Sequence, residues 1–87
     1  MTDYADLTRF IIEKIVDDRE AMDVTMQSRG RTAVVEVTVS PQDAGKVIGR
    51  GGRNVDAIRA VVRAAGLRRH ERVQVEVTRR GDERSHG

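Results

Sequence analysis

Apolar and polar positions along the chain follow two periods, and the changes of period divide it into six elements. Over residues 6–17 apolar side chains recur every three or four positions, which predicts an amphipathic helix with one buried face. That face consists of Leu7, Phe10, Ile11 and Ile15, widened by Ile12 and Val16. Asp3 or Asp6 is a candidate cap at the helix start, and the acid-rich stretch 17–20 predicts a loop after the helix.

Three runs alternate apolar and polar residues, which is the period of a half-buried β-strand. The apolar positions are Met22, Val24 and Met26 in the first run, Ala33, Val35, Val37 and Val39 in the second, and Val73, Val75 and Val77 in the third. The turn-forming stretch 28–31 separates the first two runs and predicts a hairpin. The second strand then has a wet face formed by Val34, Glu36 and Thr38.

Two helices are predicted between the second and third strands. Ser40 is a candidate N-cap, and Pro41 suits the first position of a short helix that ends near Val47. A longer amphipathic helix follows a glycine-rich loop and ends at Gly66, a candidate C-cap. Its apolar positions at helical spacing are Val55, Ile58, Val62 and Ala65.

The predicted order is helix, strand, strand, short helix, helix, strand. Each element has one apolar side, so together they predict an α+β fold, a two-layer sandwich of a three-stranded mixed sheet with helices on one face. The crossover of about thirty residues permits parallel pairing of the second and third strands. We predict one domain over residues 1–78 and a polar, disordered tail over residues 79–87.

Length and composition restrict the class of protein. Eighty-seven residues suffice for one small domain, and the absence of cysteine excludes disulfides and thiol chemistry. The N-terminal residues are acidic where a secretory signal needs basic ones, and no apolar run approaches the roughly 18 residues of a membrane span. We therefore predict a soluble, cytoplasmic protein without membrane contact.

The charge is unevenly distributed, although the net charge is only +2. Residues 1–23 have seven acidic and three basic side chains, whereas residues 46–72 have eight basic and two acidic ones. Such a concentration of positive charge favours a polyanionic partner, because each neutralised phosphate releases counterions. A solvated charged face is the alternative interpretation.

A glycine-rich loop, Gly49-Arg50-Gly51-Gly52, lies between the two predicted helices. A turn of four residues needs positions that accept positive φ and leave the backbone uncovered, and its three glycines meet both needs. The amides at the start of the following helix and the helix dipole favour an anion there. Arg50 and Arg53 can add charge-assisted hydrogen bonds to phosphate, and Lys46 is a further candidate.

The segment around this loop resembles the KH signature, in which two aliphatic residues precede Gly-x-x-Gly and others follow at the third and sixth positions after it. The matching residues are Val47 and Ile48, the glycines Gly49 and Gly52, and then Val55 and Ile58. The element order over residues 6–78 is that of the type II KH fold. Length and order are most similar to small stand-alone bacterial KH proteins of the KhpA type.

The resemblance implies a single-stranded RNA-binding protein of broad specificity that dimerises with itself or with a larger KH-containing protein. KH loops clamp about four nucleotides. The predicted RNA-binding residues are Lys46, Val47, Ile48, Gly49, Arg50, Gly51, Gly52, Arg53, Asn54 and Val55.

A groove for the bases is expected beside the loop. From spacing, Ile58 belongs to the core, whereas parts of Val47, Ile48 and Val55 form the groove floor. The resemblance makes the second strand the other wall, which would bring the polar groups of residues 34–38, or the loop before them, near the base edges.

Other classes of site fit the sequence poorly. A helical hairpin without a ligand explains one glycine better than three, a dinucleotide fingerprint needs glycine at position 54, and the P-loop ending Gly-Lys-Ser/Thr is absent. Tyr4 and Phe10 are the only aromatic residues, so base stacking is not the main source of affinity. His70 and His86 belong to no nucleophile or metal set, so we predict no catalysis, no metal and no cofactor.

Two functions stay open at this point. The first is a single-stranded RNA-binding module that acts as an RNA chaperone or post-transcriptional regulator. The second is a dimerising subunit of a larger KH-protein complex, with RNA binding secondary, because one clamp of about four nucleotides needs a second site for useful affinity.

Overall fold

The structure is a computed structural model that describes residues 4–81, and its elements follow the predicted order. The helices are α1 (Tyr4–Glu13), α2 (Pro41–Ile48) and α3 (Arg53–Leu67), and the strands are β1 (Asp23–Arg29), β2 (Thr32–Val39) and β3 (Arg72–Arg79). Short 3-10 turns lie at Arg19–Ala21 and Arg50–Gly52. This α-β-β-α-α-β order around one three-stranded sheet confirms the predicted α+β fold class.

The sheet has the strand order β1-β2-β3, so β2 is central and β3 is an edge strand. β1 pairs antiparallel with β2, from Asp23 opposite Thr38 to Arg29 opposite Thr32, which confirms the hairpin. β2 pairs parallel with β3 along its whole length. The parallel pairing predicted from the long crossover is therefore also confirmed.

The core lies between the helices and one face of the sheet. It contains Val24, Val35, Val37, Val39, Val73 and Val75 from the strands and Tyr4, Ala5, Ile12, Val16, Ala44, Val47, Ile58 and Val62 from the helices and their flanks. Because side chains alternate across a strand, the valines at odd positions of β2 and β3 all face the helical layer. The predicted apolar face therefore holds for β2 and β3, whereas on β1 only Val24 is buried and Met26 is 42% exposed.

The predicted first helix is wrong in its extent and in one residue of its buried face. α1 ends at Glu13 rather than at residue 17, and Tyr4, Ala5 and Thr8 are buried as well as Ile12. The other predicted apolar residues lie in the core or pack against it, namely Leu7, Ile11, Ile15 and Val16. Phe10, predicted to be buried, is 59% exposed. Thr8 can be buried because its hydroxyl donates to the Tyr4 carbonyl at 2.8 Å, which satisfies its polar group. Asp6 lies within the first helical turn and is not the cap, and Asp3 lies outside the described residues.

Val34 corrects the prediction of a fully wet second face on β2. Its side chain is only 1% exposed although it points away from the main core. β2 is the central strand, so Val34 is flanked in register by Gln27 on β1 and Gln74 on β3. Long polar side chains on both sides exclude water from a small apolar residue between them.

Gly66 is not the C-cap of α3. It lies within the last helical turn and is buried there, and a Cβ at this position would lie 2.7 Å from a methyl group of Val73 and 2.8 Å from the Glu71 carbonyl oxygen. The left-handed residue after the helix is His70, with φ of 60°. Glycine is therefore needed at position 66 for close packing of α3 on β3 rather than for a turn.

The start of α2 confirms the predicted cap and also holds the loop that follows α1. Ser40 accepts a hydrogen bond from the Asp43 amide, and Pro41 occupies the first turn. The Asp43 carboxylate, 1% exposed, accepts hydrogen bonds from the amides of Asp18 at 2.9 Å and Asp17 at 3.1 Å. These amides, that of Asp18 first, lower the pKa of the Asp43 carboxyl below its ordinary value.

The end of β3 reaches into the segment predicted to be a tail. β3 includes Arg79, and the Arg80 amide donates to the Val39 carbonyl at 2.7 Å. The Arg80 guanidinium donates to the Ala21 carbonyl at 2.9 Å. Residues 79 and 80 are therefore held by the sheet, and residues 82–87 of the predicted tail lie outside the described residues.

Candidate nucleic-acid interface

The glycine loop joins α2 to α3 through a sharp bend rather than a continuous helix. Gly49, Gly51 and Gly52 have φ of 78°, 66° and 82°, all in the region that disfavours side chains. The bend is accessible, since Arg50, Gly51 and Arg53 are exposed and Gly52 is partly exposed. The three glycines thus have the conformational role that the sequence predicts.

Gly49 and Asn54 fix the angle between the two helices. The Asn54 side-chain amide donates to the Lys46 carbonyl at 2.7 Å, which ties the end of α2 to the first turn of α3. A Cβ on Gly49 would lie 2.7 Å from the Asn54 side chain and 2.8 Å from its backbone nitrogen. Asn54, predicted to contact RNA, therefore has its amide group engaged within the protein.

The tip of the loop presents bare backbone and unpaired cations. A Cβ on Gly51 would meet no atom within 4 Å, and Gly52, the N-cap of α3, provides no side-chain hydrogen bond to the helix. None of the ion pairs among residues 4–81 includes Arg50 or Arg53. The first turn of α3 and these two guanidinium groups can therefore bind an anion from outside the chain.

Lys46 is not one of these unpaired cations. Its ammonium forms ion pairs with Asp17 and with Asp43, the latter at 3.5 Å. The hydrogen bond to Asp17, followed by the charges of both carboxylates, raises the pKa of Lys46. A phosphate contact through Lys46 would have to compete with two carboxylates, so the structure favours the loop arginines as phosphate ligands.

The aliphatic residues beside the loop divide between the core and the surface in a different way from that expected. Val47 is fully buried in the core, and Val55 is 6% exposed. Ile58 is buried at 4% exposure, as expected. Ile48, at 39% exposure, is the only one of the four that offers a large apolar surface to a ligand.

A groove of about 580 Å³ starts at Ile48 and lies between α2 and the end of β3. One wall is the face of α2 formed by Pro41, Ala44, Gly45 and Ile48, and the other is formed by Val77, Thr78 and Arg79. The expected wall, β2, is the central strand, where Glu36 and Thr38 belong to the face of the sheet away from the core. The wall nearest the loop is therefore the edge strand β3.

The groove residues on α2 could have been found from their spacing. Positions 41, 44, 45 and 48 form one stripe of a helix, opposite the buried Asp43 and Val47. Three of the four residues are small or cyclic, so this side of α2 is shallow beside Ile48. No signal in the sequence identifies the residues of β3 as the facing wall, because that depends on the strand order.

Together the α-β-β-α-α-β fold, the parallel edge strand and the exposed glycine bend define a type II KH domain. A family model described as "KhpA/KhpB, KH domain" matches residues 5–77. The chain belongs to this family.

Relatives named RNA-binding protein KhpA are similar to this chain over most of their length. The protein of Caldanaerobacter subterraneus is 39% identical over 72 residues, which cover 83% of this chain and 96% of that protein. The Mycobacterium leprae protein is 46% identical over 65 residues, covering 72% of this chain and 79% of that protein. The predicted resemblance to small KH proteins of the KhpA type is therefore confirmed.

Among solved structures, the crystal structure of Aquifex aeolicus Era is similar in fold. The TM-score is 0.60 at 16% identity, and the match covers 87% of this chain and 29% of the Era chain. A second Era structure, in complex with MgGDPNP and nucleotides 1506–1542 of 16S ribosomal RNA, matches to the same extent. This likeness supports the KH fold assignment.

Among residues 4–81 no three His, Cys, Asp or Glu side chains are grouped so that they could hold a metal ion. No helix in this range is both long and apolar enough to cross a bilayer.

Proposed function

We propose that this protein binds single-stranded RNA through the glycine loop and the adjoining groove, without catalysis, as an RNA chaperone or post-transcriptional regulator in the cytoplasm. The observation that carries the proposal is the exposed bend at residues 49–52, with three glycines at positive φ and two unpaired arginines. The relatives are named RNA-binding protein KhpA, which supports RNA as the ligand.

The loop suits a sugar-phosphate backbone for steric and electrostatic reasons. Without Cβ atoms at Gly51 and Gly52, a phosphate can approach the amides at the start of α3, where the helix dipole favours negative charge. Arg50 and Arg53 add charge-assisted hydrogen bonds. Ile48 and the shallow face of α2 then offer an apolar surface to the bases that follow.

The few contacts available predict weak binding with a marked dependence on salt. Binding of about four nucleotides by one KH loop gives affinities in roughly the micromolar range or weaker. Each phosphate neutralised on a single strand contributes a slope of about 0.7 to the logarithmic salt dependence. An RNA chaperone of this kind would accelerate annealing of complementary strands without a requirement for a particular sequence.

The test is the double substitution Gly51→Asp and Gly52→Asp. Two carboxylates at the tip repel phosphate and block its approach, so RNA affinity should fall by about 100-fold. Fluorescence anisotropy with a random-sequence single-stranded RNA measures the affinity, and circular dichroism checks the fold. A folded double variant that binds RNA as tightly as the parent contradicts the proposal.

Gly30→Asp is the matched control for the single substitution Gly51→Asp. Gly30 has φ of 62° and Gly51 has φ of 66°, and a Cβ at either position meets nothing within 4 Å. Backbone strain and charge change are therefore the same in both variants. Only Gly51→Asp should weaken binding of a four-nucleotide RNA, which is no longer than the loop site, and equal losses in the two variants would point to net charge rather than to the loop.

We also propose that the domain pairs with a second KH domain, either a second copy or that of a larger KH-containing protein. Val61 on α3 and Phe10 on α1 are 50% and 59% exposed, and the two helices pack against each other in one layer. Exposed large apolar side chains on one layer are typical of an interaction surface. Pairing would also place two RNA clamps together and raise the affinity for longer strands.

Analytical ultracentrifugation tests pairing between two copies. The parent is expected to sediment as a dimer at roughly 50 μM, and Val61→Asp should shift it to a monomer while leaving the fold intact, since the side chain is half exposed. A parent that is monomeric at this concentration, and that forms no complex when mixed with a purified larger KH-containing protein, contradicts this second proposal.

A further inference from the structure

We propose that the RNA track does not end at the groove beside the loop but continues along the free edge of β3 into a second subsite formed with the C-terminal half of α3. This inference rests on the proposed RNA-binding function. It assigns a subsite to Arg63 and Leu67, which lie outside the loop and outside the first groove.

The second subsite is a separate cavity of about 580 Å³. It lies between Arg59, Arg63 and Leu67 of α3 and residues 71–76 at the start of β3. The first groove is lined by residues 77–79 of the same strand. The two cavities therefore follow one after the other along β3, which is an edge strand without a neighbour on this side.

The helix and strand run in opposite directions, which places the glycine loop at one end of this track. α3 starts directly after the loop, and its end at Gly66 packs on Val73 at the start of β3. Midway, the Arg59 guanidinium donates to the Val75 carbonyl at 3.1 Å, which shows that the carbonyl points to the open edge. A single-stranded RNA that extends from the glycine loop towards the end of α3 would pass Arg59 and then Arg63.

Arg63 has the properties of a phosphate ligand. It is exposed, lies one helical turn beyond Arg59, and forms no hydrogen bond or ion pair within the described residues. Its neighbour in the cavity, Leu67, is 68% exposed and provides an apolar surface. A guanidinium next to an apolar surface suits a nucleotide, which has a charged backbone and an apolar base face.

Two carboxylates also line the cavity, both on its strand side, so the part that can bind an anion is the helical side. The Glu71 carboxylate accepts a hydrogen bond from the Tyr4 hydroxyl and keeps its negative charge. Glu76 alternates with Val75 and Val77, which face the helical layer, and lines the outer margin of the cavity. The helical side of the cavity is lined by Arg59, Arg63 and Leu67 alone.

The length of the edge strand sets the expected size of the RNA site. Eight residues of β3 at 3.3 Å each span roughly 26 Å. Each nucleotide advances a stacked strand by about 3.4 Å along its axis and an extended strand by more, so this edge has room for at most about eight nucleotides. The loop itself accounts for about four of them.

The experiment compares random-sequence RNA pools of four and eight nucleotides on the parent, Arg63→Glu and Lys14→Glu. Lys14 is exposed, follows the end of α1 and lines neither cavity, so it serves as the matched charge reversal. Arg63→Glu should weaken binding of the longer pool by roughly tenfold and lower its salt slope by at least about 0.7. It should change binding of the shorter pool no more than Lys14→Glu does, and Arg63→Lys should restore most of the loss.

Amide chemical shifts locate the contacts and separate the two proposals. Both pools should shift the signals of Gly51 and Gly52, and only the longer pool should also shift those of Arg63 and Leu67. Shifts at the loop alone with both pools, or equal effects of Arg63→Glu and Lys14→Glu on the longer pool, overturn the second subsite and leave the loop in place. No shift at the loop with either pool overturns the proposed function itself.

Discussion

Two connections, the loop after α1 and the glycine loop after α2, use backbone amides in opposite ways. In the first, the amides of Asp17 and Asp18 donate to the buried carboxylate of Asp43 at the start of α2, so an anion of the chain itself occupies them. After the helix, Gly52 has no side chain to offer the first turn of α3, and the surrounding arginines are unpaired. The first connection is an internal anion site already filled, whereas the second is open.

The cations at the two connections differ in the same way, since those at one are paired and those at the other are not. The filled site includes Lys46, whose ammonium is neutralised by Asp17 and Asp43. At the open site, Arg50 and Arg53 have no carboxylate partner. Proximity to the glycine loop in sequence is therefore not enough to identify a phosphate ligand, because the fold determines which cations already have a carboxylate partner.

Gly49→Ala, in the glycine loop, should have the largest effect on the stability of the protein. Gly49 has φ of 78° and ψ of 169°, a region that only glycine occupies readily, and a Cβ would lie 2.7 Å from Asn54. Strain and overlap together should lower the free energy of unfolding by about 2–5 kcal/mol. Gly51→Ala is the control, with a cost of about 1 kcal/mol. Equal urea midpoints for the two variants would show that Gly49 does not fix the helix angle.

Asp43→Asn should have the next largest effect, on the filled connection. The amide retains one acceptor oxygen but presents a donor to a backbone N–H, so the loop after α1 loses part of its anchor. We expect the thermal midpoint to fall by about 5–10 °C. RNA affinity measured well below the midpoint should remain within about twofold of the parent. A large loss of affinity in the folded variant would mean that the two connections are coupled.

Acid should act through the same carboxylate. The folded-state pKa of Asp43 lies below its ordinary value of 3.8, because the amides of Asp18 and Asp17 favour the charged form. Its contribution to stability is therefore complete above the ordinary value and is lost as the pH falls through the lower folded-state value. Urea unfolding at a series of pH values below 5 should show a smaller loss for Asp43→Asn than for the parent. Parallel curves would contradict this role.

The smallest expected effect is on RNA binding, and it distinguishes the unpaired Arg50 from the paired Lys46. Arg50→Gln should weaken RNA binding several-fold and lower the salt slope by about 0.7, the value for one phosphate contact on a single strand. Lys46→Gln should change both quantities much less, because its ammonium is held by Asp17 and Asp43. Anisotropy titrations at several salt concentrations measure both slopes. A larger slope change for Lys46→Gln would place the phosphate beside Lys46 rather than at the loop arginines.

Much of the fold was predictable because local patterns determine it. The alternation in β2 and β3, the cap at Ser40 and the glycines of the loop each depend on neighbouring residues, and the structure has them as expected. The exposure of Phe10 was not predictable, because the apolar stripe of the first helix is too wide for spacing alone to fix its edge. Packing against the rest of the fold fixes that edge, since it buries Tyr4 and Thr8 and leaves Phe10 exposed.

The candidate site was likewise predictable only in part. The loop and its arginines could be identified from sequence, because glycine at positive φ and cationic flanks are local properties. The ion pairs of Lys46, the hydrogen bond of Asn54 and the burial of Val47 depend on residues up to 29 positions away in the chain. Sequence reasoning had no means of assigning these three residues to internal contacts.

Residues close together in the chain encode the element order, the glycine bend and the concentration of positive charge around it, so these features follow from the sequence alone. The packing of distant elements makes β3, and not β2, the wall of the groove and places α3 beside the free edge of that strand. Strand order and the pairing of distant charges are set by which surfaces the chain buries together, and that depends on all elements at once.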